Sequence, residues 1–560
     1  MMKLSIHKSN KKDSLKDKKL LLATWGCGDK DTYQCRDWIP LFEKMFGKLL
    51  VLPFRNYYYF HGKEALNKRF LDIIKEEKPD YLLFGQRYNE IAIETIKKIK
   101  EISPQTKTII EHGDDDFKFD DWGRYYAIFF DYVITTKKDI GIYQRDNINS
   151  ATFLHGINPD FFKPLNLEKK YEVTFIGRPV ADRYDYIRFL KEQGVNIRLF
   201  GGEWNKHPDL KDIYEGVLYD EDFPKLINQS KINLNFSKTL YEKGKSGQLK
   251  SRIFEVPACG AFLLNEYTDN NIEFINNKKE INFKNRKELL EKINYYLKHE
   301  KEREKLAKAV YRYIVQNYSW ESLFSEFFKK INEDKHKTLN LPEINKKVIK
   351  ISYNELIKSP EEIKRILGGV DYVSFSKANS DSLPYRDYLQ AYSLLISKKK
   401  ISCCDYYSHS RLLGDYLIFK SKNAFNTKTD EFYHFLDITQ LTVTKEYFLK
   451  NLDFFKHLYA RKSDVSKQTI KNEDVVFISI PLITIINPSR VKYEQIKENF
   501  YTPFFDKFFS FIYQKKFFNP YIFNLFLFSL LGNFFIIKYL FYRLSFNFNK
   551  NILRSLGIVK

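Results

Sequence analysis

Short apolar runs alternate with longer helical patterns along the first part of the chain. The segment KKLLLATWGCGDK has the pattern of a buried strand that enters a glycine-containing loop, and the helical pattern DWIPLFEKMF follows it. Further apolar runs in EEKPDYLLFG, TKTIIEHGDDD and DYVITT repeat the strand pattern. Strands that alternate with helices predict a parallel sheet covered on both faces.

A second series of strands begins at KYEVTFIGRP and continues through VNIRLFGGEW, SKINLNFSKT and GAFLLNE. We therefore predict two consecutive Rossmann-like, doubly wound domains over residues 1–160 and 161–335, with the chain crossing between them near HGINPDFFKP. Ligands of such sheets bind beyond the carboxyl ends of the strands. The cleft between the two domains is the expected site.

The remaining chain predicts a third α/β module and a tail. The module, over residues 345–510, contains the strand patterns VDYVSFS, KKISCCDYY and DVVFISIPLITII with helical patterns between them. The tail, over residues 511–560, is hydrophobic and basic, and no charged residue occurs from Phe517 to Ile537. A membrane span, an interfacial helix and packing onto the third module all remain open for this stretch, because Asn, Pro and Gly interrupt it.

Net charge limits the classes of partner. The formal charge of +22 suits nucleic acid, an anionic membrane surface or phosphorylated small molecules. The lysines are scattered along the chain and no nucleic-acid-binding signature occurs, so no nucleic acid partner is expected. A solvated lysine-rich surface is the alternative interpretation of the same charge.

Cysteine usage and the amino terminus indicate the compartment. The five cysteines are odd in number and show no CxxC spacing, which predicts neither a disulfide framework nor a zinc site. The charged start of the chain, followed by the short run LLLA, lacks the pattern of an export signal. We expect a cytoplasmic protein, with peripheral contact at the inner face of an anionic membrane as a further possibility.

Charged residues at strand ends of the second domain suggest an anion site. Arg178 and Arg183 follow its first strand, where a guanidinium can bind two phosphate oxygens. Lys250 and Arg252 precede a later strand, and Glu255 follows one helical turn on, so its carboxylate can accept two ribose hydroxyls while the cations hold a diphosphate. An ordinary surface ion pair between residues i and i+3 is the alternative.

The segment NEYTDN adds a further candidate at the end of the next strand. Thr268 and Asp269 are expected to form a helix N-cap, and the free N–H groups of that helix would favour an anionic leaving group.

Taken together, FIGRP, LFGGEW and LKSRIFEVPACGAFLLNEYTDN resemble the donor half of GT-B glycosyltransferases of the group 1, CgeB-like type. HGINPDFFKP resembles the interdomain signature of the same superfamily, and the likeness extends over about residues 20–330. It implies a nucleotide-diphosphate sugar as co-substrate and no required metal. Related retaining enzymes carry a further Glu where this chain has Gly247, so retention and inversion both remain open.

The acceptor side and the base are expected from the first domain. EHGDDDFKFDDW places Glu111, His112, Asp114, Asp115 and Asp116 directly after a buried strand. A base must lie within hydrogen-bond reach of the sugar hydroxyl, and His112 and Asp114 are the candidates we select. An acidic helix N-terminus without a catalytic role is the alternative.

The third module resembles, faintly, the rear half of GT-A (family 2) glycosyltransferases. Where that family binds its metal, this chain reads Ser376, Lys377, Ala378, Asn379, and a lysine there would repel a divalent cation. The module is therefore predicted to be degenerate and non-catalytic.

The sequence thus predicts a metal-independent glycosyltransferase that acts on a glycan, lipid-linked or protein acceptor in cell-surface polysaccharide or glycoconjugate synthesis. The alternative is a non-catalytic carbohydrate-binding or scaffold protein that keeps the same fold.

Overall fold

The computed structural model of the protein describes residues 5–8, 15–27, 34–85, 89–113, 118–137, 139–146, 148, 150–219, 221–238, 249–268, 271–333, 341–342, 344–377, 380–383, 385–409, 416–419, 438–460, 474–486 and 500–501. The predicted tail, 511–560, lies outside them. Within them the chain is α/β with Rossmann-like parallel sheets, which confirms the predicted fold class. No helix in this described part combines the length and apolarity needed to cross a membrane.

The first sheet has the strand order β1-β3-β2-β4-β5-β6-β7 among the described residues, and only β1 is antiparallel to its neighbour. Its strands are β1 Ser5–Lys8, β2 Lys19–Thr24, β3 Lys48–Pro53, β4 Tyr81–Gly85, β5 Lys107–His112, β6 Tyr132–Thr135 and β7 Ala151–Phe153. Side chains alternate across it: Leu20 and Leu22 enter one core, whereas Leu21 and Ala23 enter the other. The near-continuous apolar runs in the sequence reflect this burial on both faces.

The second sheet is parallel throughout, with the order β10-β9-β8-β11-β12-β13 in the described part of the chain. Its strands are β8 Tyr171–Ile176, β9 Ile197–Phe200, β10 Tyr214–Gly216, β11 Ser230–Asn235, β12 Leu263–Glu266 and β13 Asn282–Phe283. In each sheet the chain first places strands on one side of a central strand and then crosses to the other side. This switch lies between β2 and β4 in the first sheet and between β8 and β11 in the second. Such switches open a crevice at the carboxyl ends of the strands.

Helices cover the sheets and also surround the third sheet. The α-helices are α1 Ile39–Met45, α2 Arg55–Glu77, α3 Ile93–Ile102, α4 Arg124–Ala127, α5 Gly141–Arg145, α6 Arg183–Glu192, α7 Asp222–Gln229, α8 Arg252–Ala258, α9 Arg286–Lys298, α10 Glu300–Asn317, α11 Trp320–Glu333, α12 Tyr353–Leu356, α13 Pro360–Ile366, α14 Arg386–Ser397, α15 Lys445–Lys450 and α16 Leu452–Ala460. Helix α8 ends at Ala258 and Gly260 follows two residues later, where its φ of 66° lets the chain turn into β12.

Helix α11 follows the second sheet in sequence but packs on the first domain. Its aromatic face joins Trp38 and Phe42 in one core cluster, with ring centroids of Phe42 and Phe324 4.8 Å apart. The two chain crossings bond to each other, since Ile157 donates to the Tyr318 carbonyl at 2.8 Å and Trp320 donates to the Ile157 carbonyl at 2.9 Å. The two domains are therefore joined at two points.

The third sheet contains both parallel and antiparallel pairs. Its strands are β14 Val348–Ile351, β15 Tyr372–Phe375, β16 Ser380–Ser382, β17 Ile401–His409, β18 Tyr416–Phe419, β19 Leu441–Thr444, β20 Val475–Ile486 and β21 Phe500–Tyr501. We call residues 344–486, as far as they are described, the third region. Its strand patterns VDYVSFS, KKISCCDYY and DVVFISIPLITII are confirmed as β15, β17 and β20.

The third region packs directly on the first domain. Buried residues of both share one apolar cluster. The rings of Phe129 and Tyr385 lie 5.2 Å apart, and the Tyr392 hydroxyl donates to the Asp146 carbonyl at 3.1 Å. The third region thus packs against the first domain and shares its apolar core.

The cysteines differ from the expectation. Cys27 and Cys35 form a disulfide across a sequence separation of 8 residues, on the loop that follows β2. Cys259, Cys403 and Cys404 are buried thiols. The pair escaped notice because its spacing matches no familiar motif and nothing in the sequence shows that the two side chains meet.

Candidate functional site

A cavity of about 680 Å³ lies between the first two domains. Its first wall is built at the carboxyl ends of β2, β4, β5 and β6, and includes Trp25, Gly85, Glu111, His112 and Thr136. Its opposite wall comes from the segment 249–252 at the start of α8, from Glu255 within that helix, and from α7. The cavity occupies the place where two facing Rossmann-like sheets bind ligands.

Helix α8 brings the predicted charge group into the cavity. Lys250, Arg252 and Glu255 all line it, and Arg252 donates to the Glu255 carboxylate. The Arg252 guanidinium also lies over the Phe223 ring, 4.7 Å from its centroid. Burial, helped by the positive charge of Arg36, lowers the pKa of Arg252 to about 10, so the side chain stays protonated at neutral pH.

Arg36 and Asp37 are site residues that the sequence reasoning missed. Arg36 donates to Asp37 through Nε at 2.7 Å and Nη2 at 2.8 Å, and its guanidinium lies 4.3 Å from the centroid of Phe161. Asn158 donates to the same Asp37 carboxylate at 3.4 Å. These contacts connect the cavity to the interdomain segment HGINPDFFKP. An adjacent Arg-Asp pair just before an amphipathic helix was the available signal.

His112 lies at the end of β5 and is 3% exposed. Its Nδ1 is 3.0 Å from the Tyr143 hydroxyl, and its Nε2 has no hydrogen-bond partner among the described residues. Burial, followed by the charge of Lys118, lowers its pKa to about 3. The imidazole is therefore neutral at physiological pH, with one ring nitrogen buried at the cavity wall.

The neighbouring acidic loop is described only in part. Glu111 lines the cavity and accepts from Gln34 Nε2 at 3.4 Å. The predicted base Asp114, with Asp115 and Asp116, lies outside the described residues. A second buried histidine of the cavity, His155, comes from the crossing segment, and burial lowers its pKa to about 4.

Arg178 and Arg183 lie beyond β8 but do not line this cavity. Arg178 pairs at the surface with Glu203, 3.4 Å away. Arg183 turns inward and donates to the carbonyls of Arg178 at 3.2 Å and Phe236 at 3.1 Å, and burial lowers its pKa to about 10. Neither arginine thus lines the cavity, although the positive charge of Arg183 contributes to the lowered pKa of Arg252.

Glu266 and Lys238 form a second charged group at the end of the second sheet. The fully buried Glu266 carboxylate accepts from the backbone N–H groups of Ser237 at 2.9 Å and Lys238 at 3.0 Å, and pairs with Lys238 Nζ at 2.8 Å. Sequence reasoning missed this group, although a carboxylate that ends the buried strand LLNE was a usable signal.

Thr268 lies next to that group, and Asp269 is outside the described residues. The Thr268 hydroxyl is buried without a hydrogen-bond partner in the described chain, and its N–H donates to Asn271 Oδ1 at 3.1 Å. The short 3-10 helix that follows has Asn271, not Thr268, as its N-cap. The Asn271 amide also donates to Ser237 Oγ at 2.9 Å.

The predicted metal position of the third region is described only in part. Lys377 lies over the Tyr459 ring, 5.1 Å from its centroid, while Ala378 and Asn379 lie outside the described residues. No group of three or more potential metal ligands occurs in the described part of the chain.

Fold and cavity together define an α/β protein in which two Rossmann-like sheets face a cationic, aromatic-lined site. Residues 183–329 match the family model described as glycosyl transferase-like, a segment that contains Arg183, Lys250, Arg252, Glu255 and Thr268. A search of curated proteins finds no match.

Several solved structures are similar in fold to part of the chain. Anabaena HepE, solved with UDP-glucose, is 10% identical, with 57% of this chain and 100% of that chain covered and a TM-score of 0.43. The T4 phage β-glucosyltransferase is 16% identical, with 56% and 100% covered and a TM-score of 0.40. S. aureus TarM, solved with fondaparinux, α-GlcNAc-glycerol and UDP, is 13% identical, with 48% and 59% covered and a TM-score of 0.38.

Proposed function

We propose that the chain is a glycosyltransferase that moves a sugar from a nucleotide-diphosphate sugar to a glycan, lipid-linked or protein acceptor. One observation carries the proposal: Lys250, Arg252 and Glu255 of the second domain line the same cavity as Glu111 and His112 of the first. The family match over residues 183–329 supports it, since that segment supplies the three charged residues of α8 and its preceding loop.

The donor half of the proposal rests on charge. Arg36, Lys118, Lys250 and Arg252 all line the cavity. The lowered pKa of Arg252 reflects burial near another cation, and a bound diphosphate would stabilise its charged form. Glu255 would exchange its ion pair with Arg252 for the ribose hydroxyls. Because these side chains can neutralise a diphosphate, we propose that transfer needs no metal.

The acceptor half is assigned to the first wall. A histidine with a pKa of about 3 is a weak proton acceptor at neutral pH, so His112 is proposed to orient substrate by hydrogen bonding. Among the described residues we propose the Glu111 carboxylate as the base. Asp114 remains a predicted base from the sequence. A CgeB-like role in cell-surface polysaccharide or glycoconjugate synthesis at the inner membrane face completes the proposal.

The non-catalytic alternative has one observation in its favour. Arg252 and Glu255 already pair with each other, as in a purely structural ion pair. A scaffold that binds carbohydrate would keep the cavity and its aromatic lining without a base of suitable pKa.

Titration with UDP and GDP, combined with release of nucleotide from UDP- and GDP-sugars, separates the two functions. A transferase releases nucleotide faster when a suitable acceptor from a glycan and glycolipid panel is added, with EDTA present. Binding of nucleotide without turnover across the panel favours the scaffold. Failure to bind either nucleotide contradicts the proposal itself.

A further inference from the structure

Asn89 lies where the cavity wall meets the third region. Its Oδ1 accepts from Trp122 Nε1 at 3.2 Å and from the Tyr126 hydroxyl at 3.2 Å, while its Nδ2 donates to the Ser479 carbonyl on β20 at 3.0 Å. The side chain is 9% exposed. One buried amide therefore joins two aromatic side chains of the first domain to the backbone of the third region.

Trp122 is the cavity residue at the end of this connection. It lines the cavity, is 6% exposed, and its ring lies 5.5 Å from that of His112. Since the indole N–H donates to Asn89, the amide fixes the rotation of the indole in its own plane. A fixed aromatic surface in a cavity wall suits packing against the C–H groups of a sugar ring.

A second connection runs from the third region to the same wall. The Tyr392 hydroxyl donates to the carbonyl of Asp146, the residue that caps the end of helix α5. Tyr143 of that helix forms the hydrogen bond with His112 Nδ1 at 3.0 Å. The third region thus contacts Asn89, which holds Trp122, and helix α5, which holds His112.

We propose that the third region sets the geometry of the acceptor wall, and that Asn89 is the positioning residue that connects them. The acceptor would be a glycan whose sugar ring packs on Trp122. This assignment of Trp122 to the acceptor rests on the proposed function, whereas the connection through Asn89 does not. The third region then acts on the reaction without a site of its own.

The connection can be tested on the full chain labelled with 5-fluorotryptophan. The chain has five tryptophans, so five ¹⁹F resonances are expected, and Trp122→Phe assigns the relevant one. Asn89→Asp keeps an oxygen for Trp122 and Tyr126 but removes the N–H that reaches Ser479. We expect the Trp122 resonance to shift or broaden, while the resonance of Trp204 in the second domain stays in place.

Tyr459→Phe is the matched control, because it deletes one part-buried hydroxyl bond, to the Ser376 carbonyl, within the third region. It should leave the Trp122 resonance unchanged. Tyr392→Phe, which removes only a hydroxyl, is expected to move that resonance and keeps the test decisive if Asn89→Asp does not fold. An unmoved Trp122 resonance in every folded variant of Asn89 and Tyr392 overturns the proposal.

Kinetics separate positioning from simple stabilisation. With a working acceptor, Asn89→Asp should raise the acceptor KM at least about threefold and leave the UDP affinity within about twofold. A lower melting temperature with both constants unchanged would show a structural role only and overturn the proposal. The ¹⁹F measurement needs no turnover, so its outcome stands even if no transferase activity is found.

Discussion

Arg252 and Glu255 form an ion pair one helical turn apart, and both line the cavity between the first two domains. An ion pair that is 19% and 12% exposed leaves both groups in reach of a ligand. The same contact is expected in a preorganised donor site and in a purely structural ion pair. Mutation lowers nucleotide affinity in the first case and stability in the second.

The first prediction separates charge recognition from ribose recognition. Arg252→Ala should weaken UDP or GDP far more than the free nucleoside, because only the nucleotide carries the phosphate charge. Glu255→Ala should weaken both. Each loss should be about 1.5–3 kcal/mol, or roughly tenfold to a hundredfold in affinity, measured by calorimetry.

Arg188→Ala is the matched control for that measurement. It removes a surface pair with Glu192 on α6 in the same domain and should leave nucleotide affinity unchanged. If Arg252→Ala lowers the melting temperature while nucleotide affinity stays intact, the pair is structural and the donor assignment fails.

A second prediction concerns the base. Glu111→Gln should lower turnover at least about 100-fold with nucleotide affinity little changed, since proton abstraction is lost but donor contacts remain. His112→Ala should cost only about tenfold, as expected for one lost hydrogen bond. Because the pKa of His112 is about 3, kcat/KM should show no inflection from this group between pH 5 and 8. Near-normal turnover of Glu111→Gln would show that Glu111 is not the base and would leave Asp114 as the predicted base.

The third prediction follows from two buried neutral histidines. Burial lowers the pKa of His112 to about 3 and of His155 to about 4, against about 6.5 in the unfolded chain. The unfolded chain therefore binds protons that the folded chain does not, and stability is lost as pH falls below 6.5. At pH 5 each histidine should cost about 2 kcal/mol, measurable as a lower urea midpoint than at pH 7.

His155→Gln checks the assignment of that pH dependence. Glutamine does not titrate, so the difference in unfolding free energy between pH 7 and pH 5 should shrink by about 2 kcal/mol. An unchanged difference would mean that His155 is accessible to protons in the folded protein.

A fourth prediction concerns the disulfide beside the cavity. Its short loop, with a sequence separation of 8, should contribute about 2–3 kcal/mol by restricting the unfolded chain. The Cys27→Ser, Cys35→Ser double variant should lose that amount of unfolding free energy, measured by urea unfolding without reductant. Cys259→Ser is the comparison variant, because its thiol lies outside the loop. Rapid alkylation of Cys27 and Cys35 in the untreated protein would show that the bond is absent.

The strands were predictable because burial on both sides of a parallel sheet leaves apolar runs, as in β2 and β4. The grouping of Lys250, Arg252 and Glu255 at the cavity was also predictable, since strand ends of such sheets face the cleft. The inward turn of Arg183 was not, because its carbonyl partner Phe236 lies 53 residues away, just after β11, and only the fold brings them together.

Contacts between distant parts of the chain escaped the sequence for the same reason. The bond from Asn89 to Ser479 spans 390 residues, and neither residue has a local pattern that implies the other. Nor could the sequence show which domain α11 covers, since an apolar stripe specifies burial without specifying the partner surface.

The return of α11 also has a consequence for synthesis of the protein. Phe324 and Phe328 complete the core around Trp38 and Phe42, yet the ribosome makes them only after all described strands of the second sheet. The first domain must therefore wait, with that apolar face uncovered, while a later part of the chain folds. A chain stopped after Asn317 would keep a complete second sheet and expose the aromatic face of the first, so early termination should yield an aggregating fragment.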